Sequence, residues 1–135
     1  MNRKIALKWA RALESGLYKQ TEGTLRNPEG FCCLGVLCNL HAQAHPKIAR
    51  REMDVDTYLG ADTNLPQEVM EWAGIDGDGG DFTNENGFIK VNITKDEYSG
   101  EENYDTARNL IELNDELGFN FAEIASVIRK HSKHL

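Results

Sequence analysis

Eight consecutive residues, Phe31-Cys-Cys-Leu-Gly-Val-Leu-Cys38, carry no polar side chain. A run like this is stable only when covered on every side, so it marks the centre of the fold. It is far short of the ~18–20 residues that a membrane span needs. Val36 is its one β-branched residue, and the apolar pattern continues through Leu40 to Ala44. Length and composition therefore predict a buried helix over Phe31–Ala44, with a buried strand as the competing assignment for the first eight residues. Gly35, inside the run, lets a second element approach closely.

The chain around this run has 135 residues, of which 40% are hydrophobic and 27% charged. That is one domain's worth (residues 1–135), long enough to bury about two-thirds of its unfolded surface. Met1-Asn2-Arg3-Lys4 leads into a segment carrying Lys8 and Arg11, where a secretory signal would be uncharged, so none is expected. Three cysteines in one short window (Cys32, Cys33, Cys38) make a poor disulfide framework. Reduced thiols in a cytoplasm are the expectation.

Charge is unevenly placed. Residues 1–50 hold eight Lys/Arg and three Asp/Glu, whereas residues 51–135 hold seven and nineteen. The balance is unsuited to wholesale binding of duplex DNA, whose affinity comes from neutralised phosphates. The basic first part suits an anion.

Local patterns supply the other elements. Ile5, Trp9, Ala12 and Leu13 recur at helical spacing, with Asn2 as N-cap and Gly16 as stop. Residues 17–26 suit a short hairpin around Gly23, followed by the turn Asn27-Pro28-Glu29-Gly30. His45-Pro46 ends the central helix. Residues 47–64 read as loop with a helical turn, and Pro66 opens a short helix that Gly74 closes. Asp76–Asp81 reads as a flexible acidic loop, Gly87–Ile93 as a strand, and Lys95–Asn103 as exposed polar chain. Tyr104, Ala107, Leu110, Leu113 and Leu117 predict a helix stopping at Gly118. Asn120 then caps a last helix, with Glu123 in the capping-box position. The sum is an α+β, mostly helical fold. About four helices surround the central one, with a small antiparallel sheet built from residues 17–26 and 87–93. The expected core is Trp9, Leu13, Leu34, Leu37, Trp72, Leu110, Leu113, Ile124 and Ile128.

Few residues arrange themselves for chemistry. Cys32 and Cys33 diverge by about 100° on a helix, so with Cys38, His41 and His45 they make no four-ligand zinc set, and no metal is expected. The acidic loop has Asp81 and Gly87 where a calcium-binding loop starting at Asp76 needs Gly and Glu. Leu117–Ala125 is similar to the first helix of a helix-turn-helix. The chain ends at Leu135 with no room for a recognition helix, so sequence-specific DNA binding is not expected. No catalytic residue is assigned and no cofactor is implied. The enzyme alternative is a thiol-dependent hydrolase using Cys32 or Cys33 at a helix N-terminus.

Several blocks together resemble a family of small proteins of tailed phages and prophages. They are Trp9-Ala-Arg-Ala-Leu-Glu-Ser-Gly16, Tyr18-Lys-Gln20, Gly30-Phe-Cys-Cys-Leu-Gly-Val-Leu-Cys38, Leu65 to Gly74, Leu113-Asn-Asp115 and Phe121 to Ile128. Residues 76–104 depart from the family pattern. The family has no assigned activity, so the resemblance implies a setting, the cytoplasm of an infected host, and no catalytic residues. A phage accessory protein that binds a host protein or a small anionic metabolite, for instance in counter-defence, is the expectation. The residues themselves suggest where: Tyr18, Lys19, Gln20, Arg26 and Asn27 combine an aromatic, two cations and two amides, with Asn114 and Asp115 as candidates to join them.

Overall fold

The computed structural model describes residues 1–93 and 103–135. Helix α1, Arg3–Glu14, starts where Asn2 Oδ1 accepts the Ile5 N–H at 3.1 Å. It buries Ala6, Trp9, Ala10 and Leu13. The turn at Asn27-Pro28 joins two very short strands, β1 (Arg26–Asn27) and β2 (Gly30–Phe31), paired antiparallel. Helix α2, Cys33–Ala44, follows at once and is buried over nearly its whole length. It begins two residues later than the apolar run suggests, because Phe31 pairs in β2 and Cys32 is extended.

Gly35 explains how α2 packs so tightly. A Cβ on it would lie 1.7 Å from the Leu25 carbonyl oxygen, so only glycine lets the chain before β1 lie across the helix. That carbonyl also accepts the Cys32 N–H at 3.2 Å.

Residues 47–64 are more ordered than the sequence suggests. Helix α3 occupies Pro46–Glu52, and Tyr58 is fully buried. Helix α4, Gln67–Ala73, ends at Gly74 in the left-handed conformation. The acidic loop is docked, with Gly79 and Gly80 buried. The Asp78 carbonyl accepts from Leu65 N at 2.8 Å and the Gly80 carbonyl from Leu110 N at 3.1 Å.

Two further corrections concern the strands. The expected single sheet is two separate ribbons. Residues 17–23 form no strand, and β3 (Ile89–Asn92) pairs antiparallel with β4 (Tyr104–Ala107). The expected helix over 104–117 is therefore a strand, followed by helical turns that end in a π-helical segment, Glu112–Glu116. Helix α5, Phe121–His131, has the predicted capping box between Asn120 and Glu123. A 3₁₀ turn, Ser132–His134, follows it. The expected polar stretch from Lys95 lies outside the described residues.

The fold is α+β and mostly helical, with α2 at its centre and α1 packed against α2 and α5. Of the expected core, Trp72 alone is only partly buried; the other eight residues are inside. No helix among the described residues is long and apolar enough to cross a membrane.

Candidate functional site

The predicted strip divides into two groups. The first is a polar lock at the start of α2. Gln20 Nε2 donates to Asn114 Oδ1 and to the Phe119 carbonyl, both at 2.8 Å. Asn114 Oδ1 also accepts the Cys33 N–H at 3.3 Å, an otherwise orphaned donor of the first helical turn. Asn114 Nδ2 donates to the Thr21 carbonyl at 2.9 Å and to Asp115 Oδ1 at 2.7 Å. Asp115 Oδ2 accepts the Gly23 N–H at 3.1 Å. Asn114 is only 1% exposed, so its amide relies on these bonds rather than on bulk solvent. Trp9 joins the same region, its Nε1 donating to the Cys33 carbonyl at 2.9 Å. Residues from four of the motif blocks thus meet at one helix end.

The second group surrounds Phe31. Tyr18 meets that ring edge-on, with centroids 5.2 Å apart, and its hydroxyl accepts from Asn39 Nδ2 at 2.7 Å. The Arg26 guanidinium lies 5.7 Å from the Phe31 centroid. Its Nε is buried with no hydrogen-bond partner. Lys19 points to solvent, while its carbonyl accepts the Phe31 N–H at 2.8 Å. Asn27 Oδ1 accepts the Glu29 and Gly30 N–H groups, so this amide shapes the turn. Phe31 and Asn39 also join this group and were missed, since the helix predicted over Phe31–Ala44 takes in both. The Gly30 turn was the signal that could have placed Phe31 outside it.

A cleft of about 240 Å³ opens between the lock and the loop before α4, lined by Thr24, Cys32, Thr63, Asn64, Ile111 and Asp115 among others. All three cysteines are free and buried. Burial pushes the Cys32 thiol up to about 11, against a smaller opposite pull from the Gly35 and Leu34 N–H groups. Burial holds Cys33 and Cys38 well above the ordinary thiol range, and the neighbouring Cys32 adds to both. At neutral pH these are thiols rather than thiolates, which is the weak form for nucleophilic attack.

A further aromatic cluster stands apart from both groups. His41, buried, sits with its Nδ1 2.5 Å from the Tyr58 hydroxyl. Its ring stacks on His45 at 4.1 Å and meets Trp72 edge-on at 5.2 Å. Burial lowers the His41 pKa, helped by the His45 charge, and burial raises Tyr58 to about 12. Among the described residues no three His, Cys, Asp or Glu side chains gather as a metal site.

The chain matches a family described as a domain of unknown function, DUF8296, over residues 1–132. No curated protein and no solved structure matches the chain. With nearly every residue inside that match, this chain belongs to the DUF8296 family.

Proposed function

We propose that this protein is a tailed-phage accessory protein that acts by binding a small anionic ligand in the host cytoplasm, with counter-defence as one such role. The observation that carries the reading is Arg26. Its guanidinium rests on an aromatic face, its Nε is buried without a partner, and it forms no ion pair among the described residues. A buried unpaired donor on a cation is costly, and an anion removes that cost. Tyr18 and Phe31 beside it offer ring surface to an apolar part of the same ligand. The phage setting rests on the motif blocks. The thiol-hydrolase alternative needs a thiolate, and the burial of Cys32 and Cys33 weighs against one.

A thermal-shift screen of nucleotides and phosphates, run on the parent and on Arg26→Ala, tests the reading. A ligand that raises the parent's melting temperature is expected to stabilise Arg26→Ala less. Equal shifts in both proteins would remove Arg26 from the site. A host-protein partner is the second reading, favoured by Leu17, which is 85% exposed next to Tyr18. A partner recovered from infected-cell lysate by the parent and lost with Leu17→Ser would support it.

A further inference from the structure

Strand β3, the chain before it and the C-terminal half of α5 line two adjoining open clefts. One, of about 290 Å³, is lined by Lys90, Val91, Phe119, Val127, Lys130 and His131 among others. The next, of about 360 Å³, shares Lys90, Lys130 and His131 and adds Asn84 and His134. They form one groove whose middle is cationic, set in the acidic part of the chain. Among the described residues the one ion pair is Arg129 with Glu14, so Lys90 and Lys130 pair with no described carboxylate. Glu123 lines one end, but its carboxylate accepts the Asn120 N–H at 3.1 Å and closes the capping box. The His131 imidazole is held below its usual range by burial and then by the charges of Lys130, His134 and Lys133. Those three cations come from α5 and the turn after it, and Lys90 reaches the same groove from β3.

Two other features define what would fit. Val91 and Phe119 are buried apolar residues that, with Val127, give the first cavity an apolar wall. Asn84 Oδ1, in the second, is buried with no hydrogen-bond partner, while its Nδ2 donates to the Phe88 carbonyl at 2.9 Å. An acceptor waiting beside cations calls for a ligand carrying a donor as well as an anion.

We infer that the β3–α5 groove is a binding site for a phosphorylated small molecule of the mononucleotide class. Lys90, Lys130 and the two histidines hold the phosphate, Val91, Phe119 and Val127 pack against the ring, and Asn84 accepts from a hydroxyl or amine. This site goes beyond the Arg26 reading and is independent of it.

The test uses adenosine 5′-monophosphate, with inorganic phosphate as the ring-free control, followed by calorimetry and by NMR of the histidine rings. Each removed lysine takes away one charge-assisted contact, so Lys90→Ala and Lys130→Ala are each expected to weaken binding about tenfold. Both residues are exposed, so both variants are expected to fold as the parent does, which circular dichroism checks. Binding is expected to shift the His131 and His134 ring resonances and to exceed that of inorganic phosphate at least about tenfold. Arg26→Ala is expected to bind as the parent does. Unchanged affinity in both lysine variants, or no binding to the parent at about 10 mM ligand, a weaker affinity than any useful site shows, would overturn the inference. Loss of binding in Arg26→Ala alone would overturn it too, and would support the Arg26 site instead.

Discussion

At the scale of single residues, the thiols and one glycine make the sharpest claims. Cys32, Cys33 and Cys38 look reactive on paper, being clustered near a helix start. Yet desolvation of a thiolate outweighs the N–H groups that favour it, and the Cys32 pKa rises to about 11. At pH 8 that leaves roughly one thiol in a thousand ionised, before burial further limits access. Native protein treated with iodoacetamide is expected to stay unmodified at all three positions until denaturant is added, as read by intact mass. Rapid single alkylation of the native protein would return the thiol-hydrolase reading to contention. Gly35 makes the opposite kind of claim. A methyl group there meets the Leu25 carbonyl head-on, and a backbone carbonyl cannot rotate away as a side chain can. Gly35→Ala is expected to cost about 3 kcal/mol or more, measured by urea denaturation, although alanine favours helices. A loss under about 0.5 kcal/mol, the range of neutral surface changes, would show that the chain at Leu25 does not cross α2 there.

At the scale of elements, what the sequence disclosed depended on how local the cause was. Asn2, Gly74 and the Asn120–Glu123 capping box act within one turn, and each sits where the pattern places it. The turn at Pro28 is local too, but the strands it joins are 26–27 and 30–31, not the 17–26 hairpin that Gly23 suggests. Gly23 does take a positive φ; the chain there lacks a strand partner and instead lies against Asp115. Tyr104–Ala107 misleads for the same reason. Tyr104, Ala107, Leu110 and Ile111 fit a helical stripe, yet Ala107 alone of β4 is buried, and pairing with β3 decides the outcome. Tertiary pairing overrides a local period that it does not have to respect. Site assembly was only half visible. The strip's residue types were readable, but Gln20 and Asn114 are 94 positions apart in sequence, and their bond follows from packing. That lock yields a prediction of its own. Asn114→Ala leaves the Cys33 N–H and the Thr21 carbonyl without side-chain partners in a buried place, so a loss of about 1–3 kcal/mol is expected. Gln20→Ala and Asn114→Ala both remove the bond between these two side chains, so the double variant is expected to lose less than the sum of the two singles. Strict additivity in a double-mutant cycle would mean the lock does not act as one unit.

At the scale of the whole molecule, acidification pulls in two directions. The chain carries a formal charge of −7 with its histidines neutral, and protonating carboxylates relieves that self-repulsion as pH falls. Two histidines oppose the trend. Burial, then the neighbouring His45, lowers the pKa of His41; burial, then Lys130, His134 and Lys133, lowers that of His131. Both groups therefore take up a proton more readily in the unfolded chain, where the pKa is about 6.5. Their neutral forms cost nothing above that pH. As pH falls below about 6.5 the unfolded state binds protons that the folded state refuses, and stability declines until the folded pKa values are reached. The Glu14 carboxylate, held below its usual range by Arg129, acts later, because its contribution is lost only as pH falls below the ordinary carboxylate value. The window from about pH 6.5 to 5 thus belongs to the histidines, set against a charge-repulsion background that salt screens. Gln at position 41 keeps a hydrogen-bonding group for Tyr58 without a titrating ring, and a glutamine at 131 removes the second titrating ring. In about 0.15 M salt, a concentration at which long-range surface charge is screened, the parent is expected to lose melting temperature between pH 6.5 and 5. The His41→Gln/His131→Gln variant is expected to lose less over the same interval, whatever its absolute stability. Parallel melting curves against pH for the two proteins would show that neither imidazole is desolvated enough to matter.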